Sequence, residues 1–182
     1  MGQPGQTARA TEEAPGVSSL VFRAGSLLCA LPLDEVVETM RPLPTHRLAG
    51  TPAFVLGVSI LRGVPTPVID VARLLGGGSA EPARYLTVRT GRGTIAFATG
   101  AVLGIRSTTA DAGAQHAALL GAASDGLLAG VGRIGAEPLL LLQSMRVVSD
   151  DVWAAAAAAV PAQPTAPQPS EGQDTMPKVG TA

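Results

Sequence analysis

Short apolar runs recur from Val17 to Leu142, separated by breaks of glycine, proline or charge. Their length and their Val, Ile and Leu content predict strands. Val17–Arg23 and Ser26–Leu31 read as a strand pair about an Ala24-Gly25 turn. Phe54–Leu61 and Val64–Ile69 read as a second pair about Arg62-Gly63, where Gly63 permits a tight reversal. Gly57 inside the first of these strands predicts a bulge or a close backbone approach. Pro65 and Pro67 cannot donate to a central ladder, so their strand is an edge or bends there. Tyr85–Thr99 is the clearest hairpin: Leu86 and Val88 alternate with Tyr85, Thr87 and Arg89 before a turn at Gly91-Arg92-Gly93. Val102–Arg106, Leu127–Ile134 and Pro138–Leu142 are further strands. Asp34–Thr39 is ambiguous. It fits one helical turn capped by Asp34, and equally an extended segment favoured by Val36 and Val37.

Helix signals are few. Asp70 can N-cap a short helix over Val71–Leu75, ended by Gly76. A short helix is expected near Ala114–Leu120. Another is expected over Val152–Val160, with Ser149 as its cap, Asp150 and Asp151 in its first turn and Pro161 as its stop. Arg41–Thr51 reads as a surface loop and Gly76–Pro82 as a linker.

The pattern repeats. Ser19–Val37 matches Tyr85–Gly104, with Leu20 and Leu86, Arg23 and Arg89, and Gly25 and Gly91 in step. Gly57-Val58 up to Pro67-Val68-Ile69 echoes Gly130-Val131 up to Pro138-Leu139-Leu140. Such a repeat predicts two similar small β units whose strands pack together.

Composition narrows the function. With 182 residues, 46% of them hydrophobic, the chain can build one sizeable domain or two small ones. The net charge is −1 and aromatics make up 3%, so neither the basic face nor the stacking platform of a nucleic-acid binder is expected. Met1–Gly16 lacks an apolar signal core, and no apolar run approaches a membrane span, so a cytoplasmic protein without direct membrane insertion is expected. Met1–Gly16 and Pro161–Ala182 are poor in apolar residues and are expected to be disordered tails. They flank a domain over 17–150 and the helix over 151–160.

Catalytic signals are weak. His46 sits in a proline-rich loop and His116 in a polar-to-alanine segment; both read as solvated. No nucleophile elbow, phosphate loop, zinc motif or dinucleotide fingerprint occurs, and no cofactor is expected. Cys29, the one cysteine, lies in an apolar run where an inert thiol is the ordinary case. A small ligand-binding or hydrolytic β-barrel using Asp70 or Cys29 is the alternative of another class. Arg62 is the one charge between Phe54 and Asp70. A solvated strand end would explain it, as would recognition of a carboxylate.

Two stretches carry a family likeness. Pro52–Gly76, P-A-F-V-L-G-V-S-I-L-R-G-V-P-T-P-V-I-D-V-A-R-L-L-G, resembles the central signature of CheW, the adaptor of bacterial chemotaxis. Leu28–Pro42, L-C-A-L-P-L-D-E-V-V-E-T-M-R-P, resembles the segment upstream of that signature. The resemblance implies an all-β fold of two interlocked five-stranded SH3-like barrels with short helices. It implies a non-catalytic scaffold that couples the cytoplasmic tip of chemoreceptors to the regulatory domain of a CheA-type histidine kinase, in receptor arrays at the membrane. It also implies partner-binding roles for Arg62, Glu38 and Val36, with Gly57 and Gly63 as structural turn residues. Ser59-Ile60-Leu61 departs from the family's commoner Ile-Asn-Leu before the arginine.

Overall fold

A computed structural model describes residues 16–109, 127–143 and 148–158. The expected helix near Ala114–Leu120 and both expected tails, apart from Gly16, lie outside the described residues. Among the described residues ten strands form: β1 Val17–Ala24, β2 Leu27–Pro32, β3 Val36–Met40, β4 Val55–Leu61, β5 Val64–Asp70, β6 Arg84–Thr90, β7 Gly93–Thr99, β8 Val102–Thr108, β9 Leu128–Ile134 and β10 Glu137–Leu142. Two short helices accompany them, α1 Val71–Leu74 and α2 Asp150–Ala158. The strands make two five-stranded sheets, β8-β1-β2-β10-β9 and β3-β6-β7-β5-β4, in an SH3-like all-β arrangement.

The sheet orders turn the sequence repeat into topology. Strands β1–β5 correspond to β6–β10, and each sheet draws from both halves of the chain. β1 and β2 pair with β8 and β10, while β6 and β7 pair with β3 and β5. The parallel contacts are β2 with β10 and β7 with β5, one in each sheet. Even the bulges recur. The ladder shifts between Val55 and Gly57 in one sheet and between Leu142↔Leu128 and Leu141↔Gly130 in the other. It shifts again between Val36 and Glu38, and correspondingly between Val102 and Gly104.

This register corrects one reading of the repeat. Gly57 and Gly130 are equivalent, as expected. Pro138, however, corresponds to Pro65 and not to Pro67: Ile60 faces Pro65 as Arg133 faces Pro138. Two prolines spaced by one residue made the sequence echo slip by one pleat. Pro65 and Pro67 sit where β5 pairs only with β4; β5 becomes internal from Val68 to Asp70, where it meets β7. The ambiguous Asp34–Thr39 segment is extended from Val36, so the helical alternative fails there. Pairing with β6 decides it, together with the β-branched valines. The first turn is Gly25-Ser26, one residue later than expected, and Gly93 belongs to β7.

One core joins the sheets. Phe22, Cys29, Leu31, Ile69, Leu86, Ile95, Phe97, Leu140 and Leu142 are buried together, with Val152 from α2. Full burial of each large side chain contributes about 1.5–3 kcal/mol. A smaller cluster lies on the opposite face of each sheet: Val21, Leu28, Ala30 and Leu139 in one, Leu61, Val68, Tyr85, Ala96 and Ala98 in the other. Strands buried on both faces explain the near-continuous apolar runs. Val152 is buried and Trp153 packs beside it, so α2 docks on the sheets.

Candidate docking face

Leu61 pairs with Val64, leaving Arg62-Gly63 as a two-residue turn. Arg62 has φ 51° and Gly63 φ 80°. Positive φ at both central residues defines the type I′ turn, whose twist matches the flanking strands. Among the described residues, Arg62 is the one non-glycine with positive φ. The equivalent turn between β9 and β10 places Gly135 there, with φ 60°. Glycine meets this backbone requirement without steric cost, so Arg62 occupies a position the frame would fill more easily with glycine.

Glu38 lies on β3, one edge of its sheet, and β4 is the other edge. Arg62 Nε donates to Glu38 Oε1 at 2.8 Å and Nη2 to Oε2 at 2.6 Å. This two-pronged contact ties together the two edges of one sheet. The Arg62 guanidinium holds the Glu38 carboxyl below the usual carboxylate range, and Glu38 raises Arg62 in turn. The bulge leaves Val37 without a ladder partner, and Thr87, opposite Glu38, braces the strand beside it. The Glu38 N–H donates to Thr87 Oγ1 at 3.1 Å, and Thr87 Oγ1 donates back to the Glu38 carbonyl at 3.3 Å.

The loop after β3 helps to close the sheet. His46 exchanges backbone hydrogen bonds of 2.8 Å with Val58. Thr45 Oγ1 lies 2.9 Å from Ser59 Oγ and 2.8 Å from the Tyr85 hydroxyl. Gly57 lets this loop approach: a Cβ there would stand 2.0 Å from the His46 carbonyl oxygen, at φ +140°. Gly57 is therefore both the bulge and the close approach that the sequence allowed as alternatives. The imidazole of His46 is exposed.

The side chain of Arg62 is 78% exposed and that of Glu38 27%. Val37, Leu43, Ile60 and Val64 are exposed apolar side chains on the same strands, turn and loop. Val36 is only half buried, packs toward the shared core, and leaves Val37 as the outward valine beside Glu38. Sequence reading passed over Val37, Ile60 and Val64. The alternation of Ile60 with buried Leu61 is the signal that marks Ile60 as outward.

The residues of the alternative reading have structural roles. Cys29 is fully buried in the shared core, and burial pushes its thiol up to about 12, far from a reactive thiolate. Asp70 is buried and caps α1, accepting from the Arg73 N–H at 3.1 Å and from Ser79 Oγ at 3.1 Å. No cluster of three metal-ligating side chains occurs among the described residues.

Comparison with known proteins identifies the family and the fold. A CheW-like domain model matches residues 18–152. Protein FrzA of Myxococcus xanthus is 35% identical over 74 residues, a stretch that covers 41% of this chain and 46% of that protein. The crystal structure of the scaffolding protein TtCheW from Thermoanaerobacter tengcongensis superposes with a TM-score of 0.60 at 18% identity, over 72% of this chain and 90% of that one. The structural likeness concerns the fold; the domain match runs from β1 to the first turn of α2, and by it the chain belongs to the CheW-like family.

Proposed function

We propose that this chain couples the cytoplasmic tips of chemoreceptors to the regulatory domain of a CheA-type histidine kinase. The family is one of non-catalytic scaffolds in chemotaxis-type signalling. The finer assignment rests on the Arg62–Glu38 face. An exposed arginine in a left-handed turn, paired with a carboxylate on strands that also expose Val37, Ile60 and Val64, suits a protein surface that offers both apolar side chains and a counter-charge. The observation that carries the reading is Arg62 at positive φ, where the corresponding turn of the other sheet has Gly135, with its guanidinium on Glu38. Receptor tips are helical hairpins, and a helix docking against a groove rimmed by charge is a recurring mode of recognition. Through the receptors the adaptor would sit at the cytoplasmic side of the membrane. Among the described residues no helix is long and apolar enough to cross it.

The test is binding of the purified chain to a kinase regulatory domain and to receptor tip fragments. Arg62→Ala is expected to weaken one or both at least tenfold, about 1.4 kcal/mol in binding free energy, while the protein stays folded. Arg62→Glu should be worse, and adding Glu38→Arg should recover part of the loss. Unchanged binding of folded Arg62→Ala to both partners overturns the assignment of this face.

A further inference from the structure

The chain has five aromatic residues: Phe22, Phe54, Tyr85, Phe97 and Trp153. Phe22, Tyr85 and Phe97 are buried. The two that are not, Phe54 and Trp153, line the same cavity of about 650 Å³. Pro52 forms part of its wall, and Arg92 and Asp150, an ion pair, form its polar rim. Aromatic rings beside a proline, with a polar rim, are the chemistry of a groove that takes a polyproline II segment.

The chain carries such a segment of its own. Pro161-Ala162-Gln163-Pro164-Thr165-Ala166-Pro167-Gln168-Pro169 follows α2 directly, with Pro161, Pro164 and Pro167 at a spacing of three. Polyproline II has three residues per turn and rises about 3.1 Å per residue, so these prolines fall on one ridge about 9 Å apart. Trp153 lies five residues before Ala158, about 7.5 Å back along the helix axis. A chain that turns over Ala159 and Val160 and runs back reaches the level of Trp153 between Pro161 and Pro164, and Pro167 continues along the cavity.

We propose that Pro161–Pro169 docks into the cavity lined by Phe54 and Trp153, as an intramolecular polyproline ligand. A short tether sets an effective concentration in the mM range, so a site of modest affinity is filled in cis. The fixed φ of its prolines also lowers the entropy of ordering the segment.

Trp153 is the one tryptophan, so its emission reports the cavity directly. The full chain is compared with the same chain carrying Pro164→Asp and Pro167→Asp. The substitutions are expected to red-shift Trp153 and to raise its acrylamide quenching constant about twofold, as an effective concentration in the mM range is lost. A synthetic peptide of residues 160–170, added to the substituted chain, is expected to restore the shielding. Equal quenching of the two chains overturns the proposal. If the chains quench equally and the peptide still shields Trp153, the groove serves a partner's proline segment instead. Shielding that grows with protein concentration places the segment on a second copy, which also overturns docking in cis.

Discussion

The two sheets share strand order, bulges and turn positions, yet they differ at one corner. In the first sheet that corner holds Gly104 and Gly135; in the second it holds Glu38 and Arg62. The backbone is alike at the first turn residue, with φ 60° at Gly135 and 51° at Arg62, and differs at the second, where Gly63 has positive φ and Ala136 does not. Glycine meets the positive φ of the first position without steric cost. The charged version retains a backbone conformation that L-residues resist and places an exposed ion pair on it. Strain kept against an easier alternative points to use of the side chain and not to the fold. The first sheet has its own ion pair, Arg23 with Glu137, but this joins adjacent regions of the frame and strains no turn.

The comparison breaks most visibly at Gly57. Gly57→Val forces a side chain into the His46 carbonyl and into a positive-φ backbone, and should cost about 3–5 kcal/mol in urea unfolding. Gly104→Ala, at the position that matches Glu38, tests a positive-φ strand residue without a clash, since nothing lies within 4 Å of its Cβ position; it should cost about 1–2 kcal/mol. Equal losses would mean that loop contact is unimportant. A third variant measures the strain Arg62 bears. Gly135→Arg should destabilise by about 1 kcal/mol and leave partner binding unchanged, because the carboxylate partner, Glu38, lies only in the second sheet. Conversely, Arg62→Gly should melt above Arg62→Ala although both lose binding. A lower Tm for Arg62→Gly would show that the turn carries no strain.

The smallest effect concerns pH. Glu38 is held below its usual range in the folded protein, chiefly by its hydrogen bonds to Arg62. Its contribution is therefore present above the unfolded value of about 4.3 and is lost as pH falls through the folded value. Partner binding should be flat across neutral pH and decline only in acid, and Glu38→Gln should remove that decline at the cost of weaker binding throughout. Titration of binding near neutrality would point to another group.

Most of the strands were legible because their apolar runs are bounded by glycine and proline punctuation. The Arg62–Glu38 contact was legible through family resemblance and the isolation of Arg62 in an apolar stretch. The side-chain directions around it were not. A bulge between Val36 and Glu38 breaks the period of two, so counting along β3 does not reveal that Val37 faces out while Val36 turns toward the core. Nor does R-G announce a left-handed arginine, since type II turns would also accept glycine second. The pairing of β1 with β8 is beyond local pattern altogether, because it depends on which half of the repeat supplies each neighbour.

That exchange of strands between halves bears on how the protein is made. When β1 and β2 have been synthesised, β8 and β10 do not yet exist, and β2 must wait for Leu139–Leu141. At ~5–20 residues per second, the ~110 intervening residues take roughly 5–20 s. During that interval Val21, Leu28 and Ala30 lack Leu139, which completes their cluster, and neither half can finish a sheet by itself. The nascent chain is thus held in an aggregation-exposed state until almost all of its strands are out, and the ribosome and chaperones, more than the finished fold, set how much of it survives.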